Sequence, residues 1–318
     1  MIYHYFPHSL HKDNPEELCY TGLLSQGHLV ALKTALLFHS GVGTVANVIL
    51  FFHNVSPLLV GHRLRPTQVL FTHLASANTL VLLSTGIPHS MVAFVPRNSL
   101  SSLGCKLTYY IHQMGHTATL CSTCVLSIYQ AVTVIPMNAG RIIIKGKAQE
   151  ITRPSCYTCW MFSTLINVYI PMRVTGLQDK HNYTDTEVQW FCSSLGPSVG
   201  FVILLFISKA TFIGLTGSAS GSMVLLLCRH HKRKQHIHTS NLYHKGPPES
   251  RAAHTILMLV AFFIFFYILD SIFTFYITAF VQSHLWVIHV SYILNSCFPT
   301  VCLILLIFRD PRTPSFCF

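Results

Sequence analysis

Long apolar runs recur along this chain and constrain its fold more than any other feature. Seven runs lie at about 28–53, 67–95, 105–133, 155–174, 196–227, 254–281 and 285–308. Each reaches about the 20 residues that a helix needs to cross the hydrocarbon core of a membrane. Hydrophobic residues make up 51% of the chain and charged residues 10%, against about 25% charged residues in soluble domains. The sequence therefore predicts an all-α membrane protein with a seven-transmembrane helix bundle.

The Lys and Arg residues predict how this bundle is oriented. With the amino terminus outside, about 14 of the 21 Lys and Arg fall in the inner loops and tail. We expect an extracellular segment 1–27, a seven-span domain 28–308 and a short cytoplasmic tail 309–318, with the first span acting as a signal anchor in place of a cleaved signal peptide. The net charge of +11 is then explained by basic inner loops that face anionic membrane lipid and an acidic protein partner. Nucleic-acid binding is not needed to account for it.

Two predicted features belong to the outer surface. Cys105, at the outer end of the third span, and Cys192, in the second outer loop, are placed for a disulfide in the oxidising exterior. Cys19 is a competing partner, and two free thiols are the other alternative. Asn182 lies in an Asn-Tyr-Thr glycosylation sequence in the same loop, which is either glycosylated or unused.

Two Cys-x-x-Cys pairs lie in adjacent spans. Cys121 and Cys124 are in the third span, and Cys156 and Cys159 are in the fourth. Four thiolates at this spacing are a familiar zinc ligand set. Because thiolates are costly in apolar surroundings and cysteine packs well as a small hydrophobic residue, we predict neither a metal site nor a cofactor.

Charged residues inside the apolar runs are few. Asp270 is the only acidic residue in a predicted span, and Lys209 is the only basic residue deep in the last five. At 1.5 Å per residue they lie about 15 Å and about 20 Å below the outer surface. We hypothesise that they pair and hold spans five and six together. A neutral Asp270 bonded to hydroxyl groups and a Lys209 that reaches toward the membrane surface are the alternatives.

Polar and aromatic residues gather in the outer halves of the third and seventh spans. Helical spacing places several of them on one face that can point into the bundle. With the charged pair, the candidate ligand-binding residues are Tyr109, His112, Gln113, His116, Lys209, Asp270, His289 and Tyr292. Hydrogen bonding between helices, together with an aromatic belt at the membrane interface, would also account for them.

Several short motifs carry a family resemblance. They are HRLRPT at 62–67, THLASAN at 72–78, CSTCVLSIYQA at 121–131, QHIH at 235–238, PESRAA at 248–253 and FYILDS at 266–271. In this order they resemble the vomeronasal type-1 receptor family, and they lie in or beside five of the seven spans. Bitter taste receptors share the architecture but fit these motifs less well. A transporter is disfavoured by the odd span number and the absence of a repeat.

The resemblance implies a G-protein-coupled receptor of the plasma membrane, not an enzyme, that binds pheromone-like small molecules. It implies a heterotrimeric G protein of the inhibitory type as partner. It also implies the family's outer disulfide and glycan, which would fall on Cys105, Cys192 and Asn182. The basic residues expected to face the G protein are Arg63, Arg65, Arg141, Lys145, Arg229, Lys232, Arg233 and Arg251.

Overall fold

The computed structural model describes most of the chain. The backbone is described for residues 15–94, 101–134, 139–176, 186–189, 192–195, 199–237, 248–279 and 290–301. The predicted tail 309–318 lies outside these ranges.

Helices dominate the described residues. They are α1 (Pro15–Leu59), α2 (Pro66–Phe94), α3 (Ser102–Val134), α4 (Ala139–Ile166), the short α5 (Ile170–Arg173), α6 (Val199–Ile237), α7 (Pro248–Ala279) and α8 (290–301). Three segments of these helices, Thr34–Leu59, Pro66–Pro88 and Ile203–Leu226, are long and apolar enough to cross a membrane. Each of the seven predicted spans overlaps one long helix or α8. The predicted helical bundle is therefore confirmed.

The helix bounds differ from the predicted spans because hydropathy reports membrane contact, whereas helices continue into polar sequence. Helix α1 begins at Pro15 instead of near 28, and α6 runs on to Ile237. The fourth helix spans Ala139–Ile166 instead of 155–174. Its early start uses good helix formers such as Gln149 and Glu150. It ends in a turn at 167–169, because Pro171 has no N–H with which to continue the helical hydrogen bonding to the Asn167 carbonyl.

A small sheet that the sequence did not predict follows α5. Its strands are β1 (Val174–Gly176), β2 (Thr186–Gln189) and β3 (Cys192–Leu195), in the order β1-β3-β2 with antiparallel pairing. Gly176 pairs with Cys192 in the register. Val174 is buried against Cys105 at the start of α3, so the sheet is anchored to the end of that helix.

The turn between α1 and α2 is encoded locally. Gly61 has a φ of 81°, and its N–H donates to the Leu58 carbonyl while the His62 N–H donates to the Pro57 carbonyl. These two bonds form a Schellman motif, which favours glycine because of its left-handed backbone. Helix α2 then starts at Pro66, and the Gln68 side chain accepts a hydrogen bond from the Arg65 N–H, as in a capping box.

The helices pack through small residues and a shared apolar core. A Cβ added at Gly43 of α1 would collide with Thr300 of α8 and Leu82 of α2. Such close approach is typical of membrane helices, which associate by packing because lipid offers no hydrophobic driving force. The largest buried cluster draws on α2, α3, α4, α7 and α8, and contains Leu70, Leu74, Leu120, Leu126, Tyr129, Cys156, Phe263, Tyr267 and Phe298.

Helices α3 and α4 are tied together by a disulfide between Cys121 and Cys159, whose Cα atoms are 5.6 Å apart. A disulfide between the two Cys-x-x-Cys pairs was not predicted, and it forms because the helices bring Cys121 and Cys159 face to face. Cys124 and Cys156 are buried free thiols as expected. The described residues contain no group of three or more side chains that could hold a metal ion.

Candidate functional site

The buried carboxylate of Asp270 lies at the centre of the bundle. Its Oδ2 atom is 3.8 Å from the Lys209 Nζ of α6 and 3.8 Å from the His116 Nε2 of α3. The structure therefore confirms the hypothesised contact between Lys209 and Asp270, and it adds His116 as a third member. Both distances exceed the 2.7–3.2 Å of an N–H···O hydrogen bond, so Asp270 is in electrostatic contact with two side chains without a tight bond to either.

His116 is held in place by two further helices. The ring of Tyr267 on α7 lies 4.9 Å from the His116 ring, and the Tyr267 hydroxyl donates to the His116 carbonyl over 3.4 Å. The Asn295 side chain of α8 lies close to the His116 side chain. We call Asp270, Lys209, His116 and Asn295 the central polar cluster. It brings together side chains of α3, α6, α7 and α8.

Two atoms of this cluster are not fully satisfied. Asp270 Oδ1 and His116 Nδ1 are buried and have no hydrogen-bond partner among the described residues. Buried polar atoms are usually paired because leaving one unpaired costs about 1–3 kcal/mol. Ionisable residues inside a membrane are rare and mark functional pathways. The cluster is therefore a candidate functional site.

A narrow cleft lies beside the cluster, between α3 and α6, and has room for about one water molecule, so a larger ligand must widen it. Its lining side chains are Gln113, His116, Thr117, Leu120, Leu205, Ser208, Lys209 and Phe212. Three of the predicted ligand residues, Gln113, His116 and Lys209, line this cleft. Asp270 does not line the cleft but contacts Lys209 and His116, which do. The cleft and the cluster therefore share these two residues.

The other predicted ligand residues lie elsewhere. His112 turns toward α2, where its Nδ1 is 3.2 Å from the Thr85 hydroxyl and 3.3 Å from the Ser84 hydroxyl. Tyr109 interacts with Tyr292 and packs against the buried cluster near the start of α3. His289 lies outside the described residues. The single face predicted for α3 is thus divided among four neighbouring helices, α2, α6, α7 and α8.

Thr117 and Ser208 line the cleft but were not singled out from the sequence. Thr117 is one turn beyond Gln113, and Ser208 precedes Lys209, so helical spacing around the two chosen residues could have found them. Thr117 accepts a hydrogen bond from the Asn167 Nδ2 over 3.1 Å and donates to the Gln113 carbonyl over 2.9 Å. Its hydroxyl is consequently engaged by the protein itself.

The structure describes only some of the residues predicted for the two ends of the bundle, which are the disulfide and glycan at one end and the basic residues at the other. Cys105 is disulfide-bonded, while the side chains of Cys192 and Asn182 lie outside the described residues. At the other end, Arg63, Arg65 and Arg229 are exposed. The remaining predicted basic side chains, Arg141, Lys145, Lys232, Arg233 and Arg251, are likewise outside the described set.

Comparison with known proteins decides the family. Residues 30–318 match the vomeronasal organ pheromone receptor family. The chain belongs to this family. It is a chemosensory receptor of the G-protein-coupled, multi-pass membrane class, and the family is one of receptors and not of enzymes. This assignment replaces the bitter taste receptor and transporter alternatives.

Individual relatives match most of their own length. The human vomeronasal type-1 receptor 3 is 34% identical over 289 residues, which cover 89% of this chain and 92% of the relative. The human vomeronasal type-1 receptor 4 is 34% identical over 287 residues, covering 89% and 95%. The rat vomeronasal type-1 receptor 90 is 30% identical over 247 residues, covering 75% and 78%. The assignment to the vomeronasal receptor family thus extends over the helical bundle.

Proposed function

We propose that this vomeronasal receptor acts at the plasma membrane, binds a small pheromone-like molecule in the cleft between α3 and α6, and activates a heterotrimeric G protein of the inhibitory type. The observation that carries the ligand site is the sharing of Lys209 and His116 between the cleft and the central polar cluster. A ligand that widens the cleft would touch both side chains, which contact Asp270 and Tyr267 of α7. It can shift the receptor only by binding one arrangement of these helices better than another.

The proposed G-protein surface is the end of the bundle that carries the basic loops. Arg63 and Arg65 flank the turn between α1 and α2, and Arg229 is exposed near the end of α6. Arg141, Lys145, Lys232, Arg233 and Arg251 belong to the same side by the orientation rule. Basic side chains at this end would attract an acidic protein surface and the anionic lipid of the inner leaflet.

The proposed outer surface carries a disulfide between Cys105 and Cys192 and a glycan on Asn182. The sheet supports the pairing, because β3 begins at Cys192 and pairs with β1, and β1 packs beside Cys105. We expect peptide mapping of unreduced protein to recover one peptide joined through Cys105 and Cys192, and a second joined through Cys121 and Cys159. Recovery of Cys105 linked to Cys19 would contradict the first pairing.

Signalling in cells tests the proposed function. We expect cells that carry the receptor and a promiscuous G protein to release calcium in response to a urine fraction or a small volatile or steroidal odorant. Asp270→Asn and His116→Ala should abolish the response at unchanged surface level, since each removes a member of the central polar cluster. Glu150→Gln and His53→Ala make the same kinds of change at exposed positions and should leave the response intact.

Silence toward all fractions from a receptor at the cell surface would contradict a stand-alone sensory role. With its native G protein, the response should disappear after treatment with a toxin that modifies inhibitory-type G proteins. A response that survives this treatment would contradict the inhibitory subtype alone.

A further inference from the structure

The contact between Lys209 and Asp270 points to the chemistry of the ligand. Resting on the proposed function, we propose that the ligand has an apolar body and an acceptor oxygen, of a carboxylate or carbonyl group, and that this oxygen replaces Asp270 as the partner of Lys209. The ligand would then act by an exchange of partners that loosens α7 from α6.

The lining of the cleft defines both parts of such a ligand. Leu120, Leu205 and Phe212 form its apolar wall. Of the polar lining groups, the Thr117 hydroxyl is already engaged by Asn167 and by the Gln113 carbonyl. This leaves the Gln113 amide, the His116 ring, the Ser208 hydroxyl and the Lys209 ammonium group to meet a ligand.

Lys209 determines which charge on the ligand is favoured. An ammonium group is a donor only, with three N–H bonds, so its partner must be an acceptor. No carboxylate is among the described side chains that line the cleft. An amine in the cleft would therefore meet Lys209 as a like charge without a compensating acid, whereas a carboxylate would form a charge-assisted hydrogen bond.

Exchange is possible because the existing contact is loose and asymmetric. Lys209 Nζ is 3.8 Å from Asp270 Oδ2, and the side chain of Lys209 is 24% exposed against 5% for Asp270. A molecule in the cleft thus reaches Lys209 while Asp270 stays shielded behind it. When Lys209 turns to the ligand, Asp270 keeps His116 as its partner, 3.8 Å away on the same oxygen.

The exchange predicts opposite effects for the two members of the pair. Lys209→Gln removes the charged donor and should weaken binding of a carboxylate by about 10- to 100-fold, the loss of one charge-assisted hydrogen bond. Asp270→Asn removes the competitor for Lys209 and should tighten binding of the same carboxylate. If the contact between Lys209 and Asp270 only stabilised the fold, the two substitutions would not change carboxylate affinity in opposite directions.

The experiment uses three probes on one skeleton: 4-phenylbutyrate, its methyl ester and 4-phenylbutylamine. Thermal unfolding of the purified full chain in phosphatidylcholine nanodiscs is followed as each probe is titrated. We expect the carboxylate to raise Tm most, the ester less and the amine not at all. Each variant is compared with its own unliganded Tm, and Lys106→Gln, at the start of α3, is the matched control for loss of a lysine.

Three outcomes would overturn the exchange: equal stabilisation by the amine and the carboxylate, no stabilisation by any probe, or a carboxylate effect that survives Lys209→Gln. The proposed function is read separately from the calcium response to urine fractions. If a urine fraction evokes equal calcium responses from the wild-type receptor and from Lys209→Gln, the proposed function stands and the exchange of partners is contradicted. Tighter carboxylate binding by Asp270→Asn without a calcium response would support both.

Discussion

Lys209→Met is expected to lower the free energy of unfolding by about 3 kcal/mol, and Asp270→Asn by less than about 1 kcal/mol. Removing one partner of a buried ion pair is costly because the other charge loses its compensation. His116 is charged only when protonated, so it replaces only part of what Lys209 supplies to Asp270. The two sides are unequal here, since Asp270 is buried whereas Lys209 is partly exposed. A lysine that has lost its partner can extend toward the membrane surface, but Asp270 on its helix cannot leave the core.

The double variant sharpens this test. Because Lys209→Met is harmful only while Asp270 is charged, adding Asp270→Asn should restore most of the lost stability. Chemical unfolding in mixed micelles measures all three variants, and Lys106→Met controls for the exchange of a lysine elsewhere. Costs that simply add in the double variant would show that the side chains are not energetically coupled. Equal costs for the two single changes would contradict the expected asymmetry between Lys209 and Asp270.

Gly115→Leu is expected to cost at least about 2 kcal/mol through overpacking between α2 and α3. A Cβ at this position would lie 3.1 Å from the Ala77 carbonyl oxygen and 3.2 Å from Leu80 Cβ. Neither atom is at the end of a flexible side chain, so the helices themselves must separate. His116 is the next residue, and its contact with Asp270 would be displaced as well.

Gly214 of α6 is the matched control, because a Cβ there would meet nothing within 4 Å. Gly214→Leu should be neutral, or stabilising by up to about 1 kcal/mol through helix propensity. Thermal unfolding in detergent and surface level in cells are the measurements. Similar behaviour of the two leucine variants would contradict close packing of α2 and α3 at Gly115.

Much of the central polar cluster could be predicted from the sequence because charges are rare in apolar runs. Asp270 and Lys209 stood out, and counting residues placed them at similar depths. His116 was selected as a ligand residue but not as a partner of Asp270. Helical periodicity gives the direction in which a side chain points from the helix axis. It does not say which neighbouring helix lies in that direction.

The division of α3 among its neighbours shows the same limit. His112 and His116 are one turn apart, yet His112 contacts Thr85 and Ser84 of α2, whereas His116 contacts Asp270 of α7. The disulfide between Cys121 and Cys159 was missed for a related reason. Two Cys-x-x-Cys pairs reveal an abundance of thiols but not which pair of them the crossing of α3 and α4 brings together.

The sequence by itself determined the membrane-spanning helical class, the vomeronasal receptor family and the residue types of the candidate site. These follow from hydropathy, loop charge and short motifs, which are local properties of the chain. Only the tertiary structure decided that Lys209, His116 and Asp270 meet, and that the cleft lies between α3 and α6. Helix crossing and rotation depend on close contacts between distant segments, such as Gly43 against Thr300, and no local pattern contains them.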